Sequence, residues 1–225
     1  MRSTPPGSPP ASGDLTARAR IRDAAVDLIG REGTHRTSIR RVAEAAGVSP
    51  GLVQHHFGSK AGLCEACDAY VIETMIAQAR ANAAGRVADA DVLSALYDVT
   101  QPVLRYLART LIEGSPAMVG MLDRMVALTE EWFSERWPER YPPGSERVRH
   151  AAALLASMKL GPLVLHAQIS RWLGADILAR ENVHLLGLAT LDVFDRMGAY
   201  LASEEGQAMQ AALDAYRARL GGEDD

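Results

Sequence analysis

The stretch from Thr37 to Lys60 constrains this chain more than any other part of it. It reads Thr-Ser-Ile-Arg-Arg-Val-Ala-Glu-Ala-Ala-Gly-Val-Ser-Pro-Gly-Leu-Val-Gln-His-His-Phe-Gly-Ser-Lys. Two start signals and one glycine turn within it predict two short helices set at an angle. Thr37 or Ser38 caps the first by accepting backbone N–H groups that have no helical partner. Ile39, Val42, Ala43 and Ala46 then share a face at helical spacing. Gly47 tolerates the left-handed backbone that stops this helix. Ser49 caps the second helix, and Pro50 fills its first turn, where a missing N–H costs nothing. Val53 and Phe57 point back to a small core. Pro50, Gly51, Leu52, Gln54, His55 and His56 remain facing outward, in the geometry that fits a major groove.

Charge supports the same reading once it is placed along the chain. The net charge of −4 argues against nucleic acid only as a single number. Residues 1–63 hold nine Arg/Lys against five Asp/Glu, whereas residues 64–225 hold fifteen against twenty-three. A basic head on an acidic body lets one end meet phosphates and keeps the rest away. A sequence-neutral DNA-packaging protein would be basic throughout. Only Lys60 and Lys159 among the 24 basic residues are lysines, so forked arginine contacts are available nearly everywhere.

The 225 residues suffice for a substantial core. No apolar run reaches the roughly 20 residues needed to cross a bilayer, and no apolar leader is expected. Two cysteines do not make a disulfide framework, so a cytoplasmic protein is the simplest expectation. Residues 1–13 are rich in Pro, Ser and Gly and predict a disordered tail; a flexible arm that touches DNA through Arg2, Arg18 or Arg20 is the alternative. A first helix over 15–31, stopped by Gly33, joins helices over 38–45 and 49–56 in a compact head.

Ser59 is expected to cap a fourth helix from Lys60 to about residue 84, with Leu63, Cys67, Tyr70 and Thr74 along one face. Further helices are expected near 89–112, 116–136, 146–173, 176–202 and 204–219, with no strand. The fold class is therefore all-α: a helix-turn-helix head over 14–59 and a larger helical body over 60–225. The helices at 146–173 and 176–202 are apolar on more than one face, which predicts pairing with their copies in a second subunit.

The run Ala43, Gly47-Val48-Ser49, His56-Phe57 and Lys60, followed by Leu63, resembles the TetR family of transcriptional regulators. The resemblance covers about residues 16–70. It implies a homodimer, a DNA-binding head, and a body that houses a small effector. By position it sets Arg40, Pro50, Gly51, Leu52 and His55 toward base edges. It sets Thr37, Ser38, Gln54, His56 and Lys60 against phosphates, and Ser49 belongs to the same DNA-binding surface. Lys60 at a helix N-terminus joins an ammonium to the helix dipole, and Arg40 can read guanine. Two positions depart from the family pattern. Gln54 stands where tyrosine is common, and Gly62 where glutamate is common, which removes a capping-box partner for Ser59.

The body offers softer signals. Lys159 and His166 share a face of an apolar helix that Pro162 should kink. With Met118, Met121, Met125, Trp132 and Met158 they outline a candidate pocket for a hydrophobic effector, with or without an acid group; the same stripe also reads as core. Cys64 and Cys67 read either as two small buried residues or as a thiol sensor. Asp123, Glu130 and Glu131 fall on ordinary helix surfaces, so no catalytic constellation, metal site or cofactor is expected. The function expected is a ligand-responsive repressor on a palindromic operator, with an activator or a redox-sensing repressor as alternatives.

Overall fold

Small and branched side chains spaced three or four residues apart organise one end of the molecule. In this computed structural model, which describes residues 12–83 and 90–220, α1 (Ser12–Glu32) buries Ile21, Ala25, Val26 and Ile29. Against it lie α2 (Ile39–Ala46), α3 (Pro50–Phe57) and the first half of α4 (Lys60–Ala83). These helices contribute Val42, Ala43, Val53, Leu63, Cys67 and Val71 to a single small core. Apolar burial of this kind stabilises helices too short to persist alone.

The body continues with α5 (Ala90–Glu113), α6 (Pro116–Arg136), α7 (Glu146–Val164) and α8 (His166–Leu173). Among the described residues, α1 meets α5 more extensively than any other helix pair does. The approach is close because Gly30 lacks a side chain: a Cβ there would sit 3.0 Å from the backbone nitrogen of Tyr106. α6 packs on both α4 and α7, so α4 is covered by the head at one end and the body at the other. The described residues divide into two compact units, Met1–Arg180 and Glu181–Asp225. The second unit holds α9 (Val183–Ala202) and α10 (Glu204–Leu220), which pack on each other. Gly206 permits their tight turn, since a Cβ there would lie 2.3 Å from the carbonyl oxygen of Tyr200.

The all-α expectation holds: the described residues form helices and no strand. Three boundaries differ. Ser12 and Gly13, expected in a tail, open α1; residues 1–11 of that tail and the expected break at Gly85 lie outside the described residues. The single helix expected over 146–173 is broken at Leu165 into α7 and α8, bent by 69°. Pro162 lies inside α7 and leaves the Met158 carbonyl without its helical donor, but α7 runs on to Val164, so the break falls three residues beyond the expected kink. The helix expected from 176 begins only at Val183, after a short 3-10 turn over Arg180–Asn182. No single described helix is long and apolar enough to cross a membrane.

Candidate nucleic-acid interface and ligand cavity

Two serines fix the angle between α2 and α3. The Ser38 hydroxyl accepts from the Arg41 backbone N–H at 3.4 Å, and the Ser49 hydroxyl accepts from that of Leu52 at 3.2 Å. Between them Gly47 takes φ +65°, which lets its own N–H and that of Val48 close the end of α2 on the carbonyls of Glu44 and Ala43. Val53 is buried, so α3 presents Pro50, Gly51, Gln54 and His55 to solvent, with Leu52 half-buried.

The expected contact residues do not all share that open face. Thr37 is buried, and its hydroxyl donates to the Gly33 carbonyl at 3.0 Å, so its proton is already committed and not offered to a phosphate. His56 is half-buried, its ring edge-on to those of His55 and Phe57. Ser49 is occupied as a cap. Arg41 forks onto Glu32, with one bond of 2.7 Å, and this hydrogen bond holds the Glu32 carboxyl below its ordinary pKa. Arg40 beside it is exposed and carries no ion pair among the described residues. The Arg18 guanidinium lies 5.2 Å from the centre of the Phe57 ring, while Arg20 is exposed.

At the start of α4, Ser59 does cap the helix, accepting from the Gly62 N–H at 3.1 Å. A Cβ at position 62 would lie 2.3 Å from the Phe57 carbonyl oxygen. The glycine is thus required by the tightness of the α3–α4 turn, and the absent glutamate reflects sterics rather than a loose helix start. Lys60, half-buried, occupies the first residue of α4.

A cavity of about 590 Å³ opens among α4, α5, α6 and α7, lined by Met75, Gln78, Ala79, Arg80, Leu104, Met125, Leu128, Thr129, Glu131, Trp132, Glu135, Lys159, Leu160 and Leu163. Of the residues expected there, Met125, Trp132 and Lys159 line it. Met118 and Met121 are instead buried core, and Met158 points to solvent, 49 % exposed. Pro162 lies off the cavity wall, and the His166 ring bonds the Leu163 carbonyl at 2.7 Å. The broken helix explains His166, because residues beyond the bend no longer follow the face of Lys159; Pro162 still belongs to α7 and is simply turned off the wall. The contribution of α4 was missed, although its signal is a plain one: Leu63, Cys67, Val71, Met75 and Ala79 recur in steps of four.

That spacing makes α4 common to both regions. Its first half fills the head core and its last turns form the cavity wall. Midway, Asp68 accepts from the Tyr106 hydroxyl at 2.7 Å and from the Ser115 hydroxyl at 3.4 Å, tying α4 to α5 and to the start of α6. Burial raises the Asp68 pKa, and the two hydrogen bonds only partly oppose it. Cys67 is fully buried with its sulfur against the Arg22 carbonyl, and burial pushes both the Cys64 and Cys67 thiols up. Neither has the depressed pKa that thiolate reactivity needs.

Comparison with known proteins fits this architecture. The sequence profile of the bacterial regulatory proteins of the tetR family matches residues 21–67. The chain is 34% identical over 190 residues to the HTH-type transcriptional regulatory protein RaaS of Mycobacterium tuberculosis, spanning 81% of this chain and 87% of that one. It is 35% identical over 96 residues to the HTH-type transcriptional regulator BetI of Burkholderia thailandensis, which covers 39% of this chain and 49% of that one. Among solved structures, a TetR-family transcriptional regulator from Rhodococcus sp. shares the fold at a TM-score of 0.53 and 22% identity, covering 80% of this chain and 98% of that one.

Proposed function

This chain belongs to the TetR family of bacterial regulatory proteins, a family of DNA-binding, non-enzymatic transcriptional regulators, and from that premise we propose that it is a cytoplasmic, homodimeric repressor released from its operator by a small hydrophobic effector. The observation that carries this reading is the span of α4 from the head core to the cavity wall. A ligand that favours one position of Met75, Gln78 and Ala79 also biases the position of Leu63 and Cys67, and hence of α3. The effect is a population shift, limited by the ligand's preference for one body conformation over the other.

In this reading Arg40, Gly51, Leu52 and His55 meet base edges, while Ser38, Gln54 and Lys60 lie against phosphates. Pro50 and Ser49 shape the recognition helix. Thr37 and His56 support the surface from beneath rather than touching the phosphates. Two copies would set their recognition helices about 34–36 Å apart, one turn of the duplex. The dimer would form through the helices over 146–173 and 176–202. Leu154, Met158, Leu188, Leu191 and Phe194 support this, since each is an apolar side chain more than two-fifths exposed. A redox-sensing repressor is the weaker reading, because burial raises both thiols.

Footprinting on DNA flanking the protein's own gene tests the proposal. The expected result is a protected palindrome whose two half-sites lie one turn apart, with protection that fades steeply as salt rises. A folded dimer that protects no palindrome in a genome-wide selection of bound fragments would refute it.

A further inference from the structure

Leu160 lines two cavities at once. The first, of about 590 Å³, is the one described above. The second, of about 480 Å³, is lined by Leu111, Leu122, Val126, Gly161, Val164 and Leu165, with Ala156 and Ser157 completing its wall beside Leu160. The two differ in chemistry. The second is apolar throughout, because its one side-chain hydroxyl, on Ser157, donates to the Ala153 carbonyl at 2.8 Å. The first carries Lys159, Arg80, Gln78, Glu131 and Glu135 among its apolar residues.

Within the first cavity the amide oxygen of Gln78 is buried without a hydrogen-bond partner; as an acceptor it calls for a donor on a ligand and does not itself select an anion. Lys159 as a whole is exposed, yet the surroundings of its ammonium group are crowded enough for burial to lower its pKa. No carboxylate takes part in holding that charge. Glu131 and Glu135 share the wall, but both are exposed and remain hydrated. An anionic head is therefore the group that improves the site most, and the apolar space beyond Leu160 has no use for a second one.

We propose that the effector is an amphipathic carboxylic acid whose head lies in the first cavity against Lys159 and whose hydrocarbon tail passes Leu160 into the second. The inference rests on the ligand-responsive reading above and deepens it. It accounts for two cavities sharing one wall residue, with charge at one end and hydrocarbon at the other. Combined, they suit an extended chain better than a compact ring system.

Intrinsic tryptophan fluorescence of the full-length protein, reporting through Trp132, tests this with octanoate, dodecanoate and hexadecanoate, against dodecanol and dodecylammonium. The acids should bind best, with affinity rising about four-fold for each methylene that enters the second cavity. Lys159→Met should weaken the acids about ten- to hundred-fold and leave dodecanol unchanged. Gly161→Leu puts side-chain bulk at the wall of the second cavity, and its Cβ meets open space. It should abolish the gain from dodecanoate to hexadecanoate and spare octanoate.

Dodecylammonium binding as tightly as dodecanoate, or acids indifferent to Lys159→Met, would overturn the proposal. So would a Gly161→Leu protein that keeps the chain-length gain but changes oligomeric state, since the groove would then be an interface. Operator binding without any probe separates the two levels. If it is present but insensitive to every acid, the effector class is wrong; if it is absent, the regulator reading itself fails.

Discussion

Gly62 and Asp68 show how single residues set the properties of the connecting helix. A methyl group at 62 must push against the Phe57 carbonyl, a backbone atom that cannot swing aside. Gly62→Ala should therefore cost about 1–3 kcal/mol, read as a lowered Tm, even though alanine is the better helix former. Asp68 is held above its ordinary pKa chiefly by burial. The unfolded chain loses this proton near pH 4 and the folded chain loses it higher, so stability falls as pH rises through that window. Denaturant titrations at a series of pH values should show the fall in the parent protein and its loss in Asp68→Asn. Tyr106→Phe removes the stronger of the two bonds to that carboxylate, and should cost about 1–3 kcal/mol at neutral pH.

At the scale of elements, α2 and α3 were legible because their signals are local. Ser38, Gly47, Ser49 and Pro50 each act within a few residues of chain, and each does in the structure what its chemistry predicts. The exceptions have long-range causes. Thr37 looked like a surface hydroxyl, yet α1 ends beside it and offers the Gly33 carbonyl. The cavity was harder still. Met118 and Met121 lie on the same helical stripe as Met125, and only the placement of α4 and α7 separates lining from core. The two faces of the recognition unit make a further prediction. Lys60→Ala should weaken binding to operator and random DNA alike and reduce the salt slope by about one, whereas Arg40→Ala should also relax base preference. Equal losses on both DNAs for both variants, in competition assays, would remove Arg40 from the base-reading set.

At the scale of the whole molecule, the exposed apolar surface is the outstanding feature. Along α9 alone, Leu188, Leu191, Val193, Phe194, Met197 and Leu201 are all exposed, a density that marks an interaction surface. Phe194→Glu should yield a folded monomer in analytical ultracentrifugation and lose protection of a two-half-site operator. A dimer that survives this change would move the interface elsewhere. The sequence pattern made these helices visible as apolar on several faces, and Pro162 announced a kink, but not its place at Leu165 nor its 69° angle. A proline marks a break without fixing its angle.

The central claim is that α4 couples the cavity to the DNA-reading surface, and filling the cavity from α4 itself tests it most directly. Ala79 lines the cavity on the same helical stripe that places Leu63, Cys67 and Val71 in the head core. The operator Kd of Ala79→Phe, measured beside its melting curve and sedimentation, gives the answer without knowledge of the effector. The account predicts a folded dimer whose operator affinity drops at least about tenfold, a coupling of the usual allosteric size, while affinity for random DNA stays the same. A folded dimer with the cavity filled and its operator affinity unchanged would contradict it.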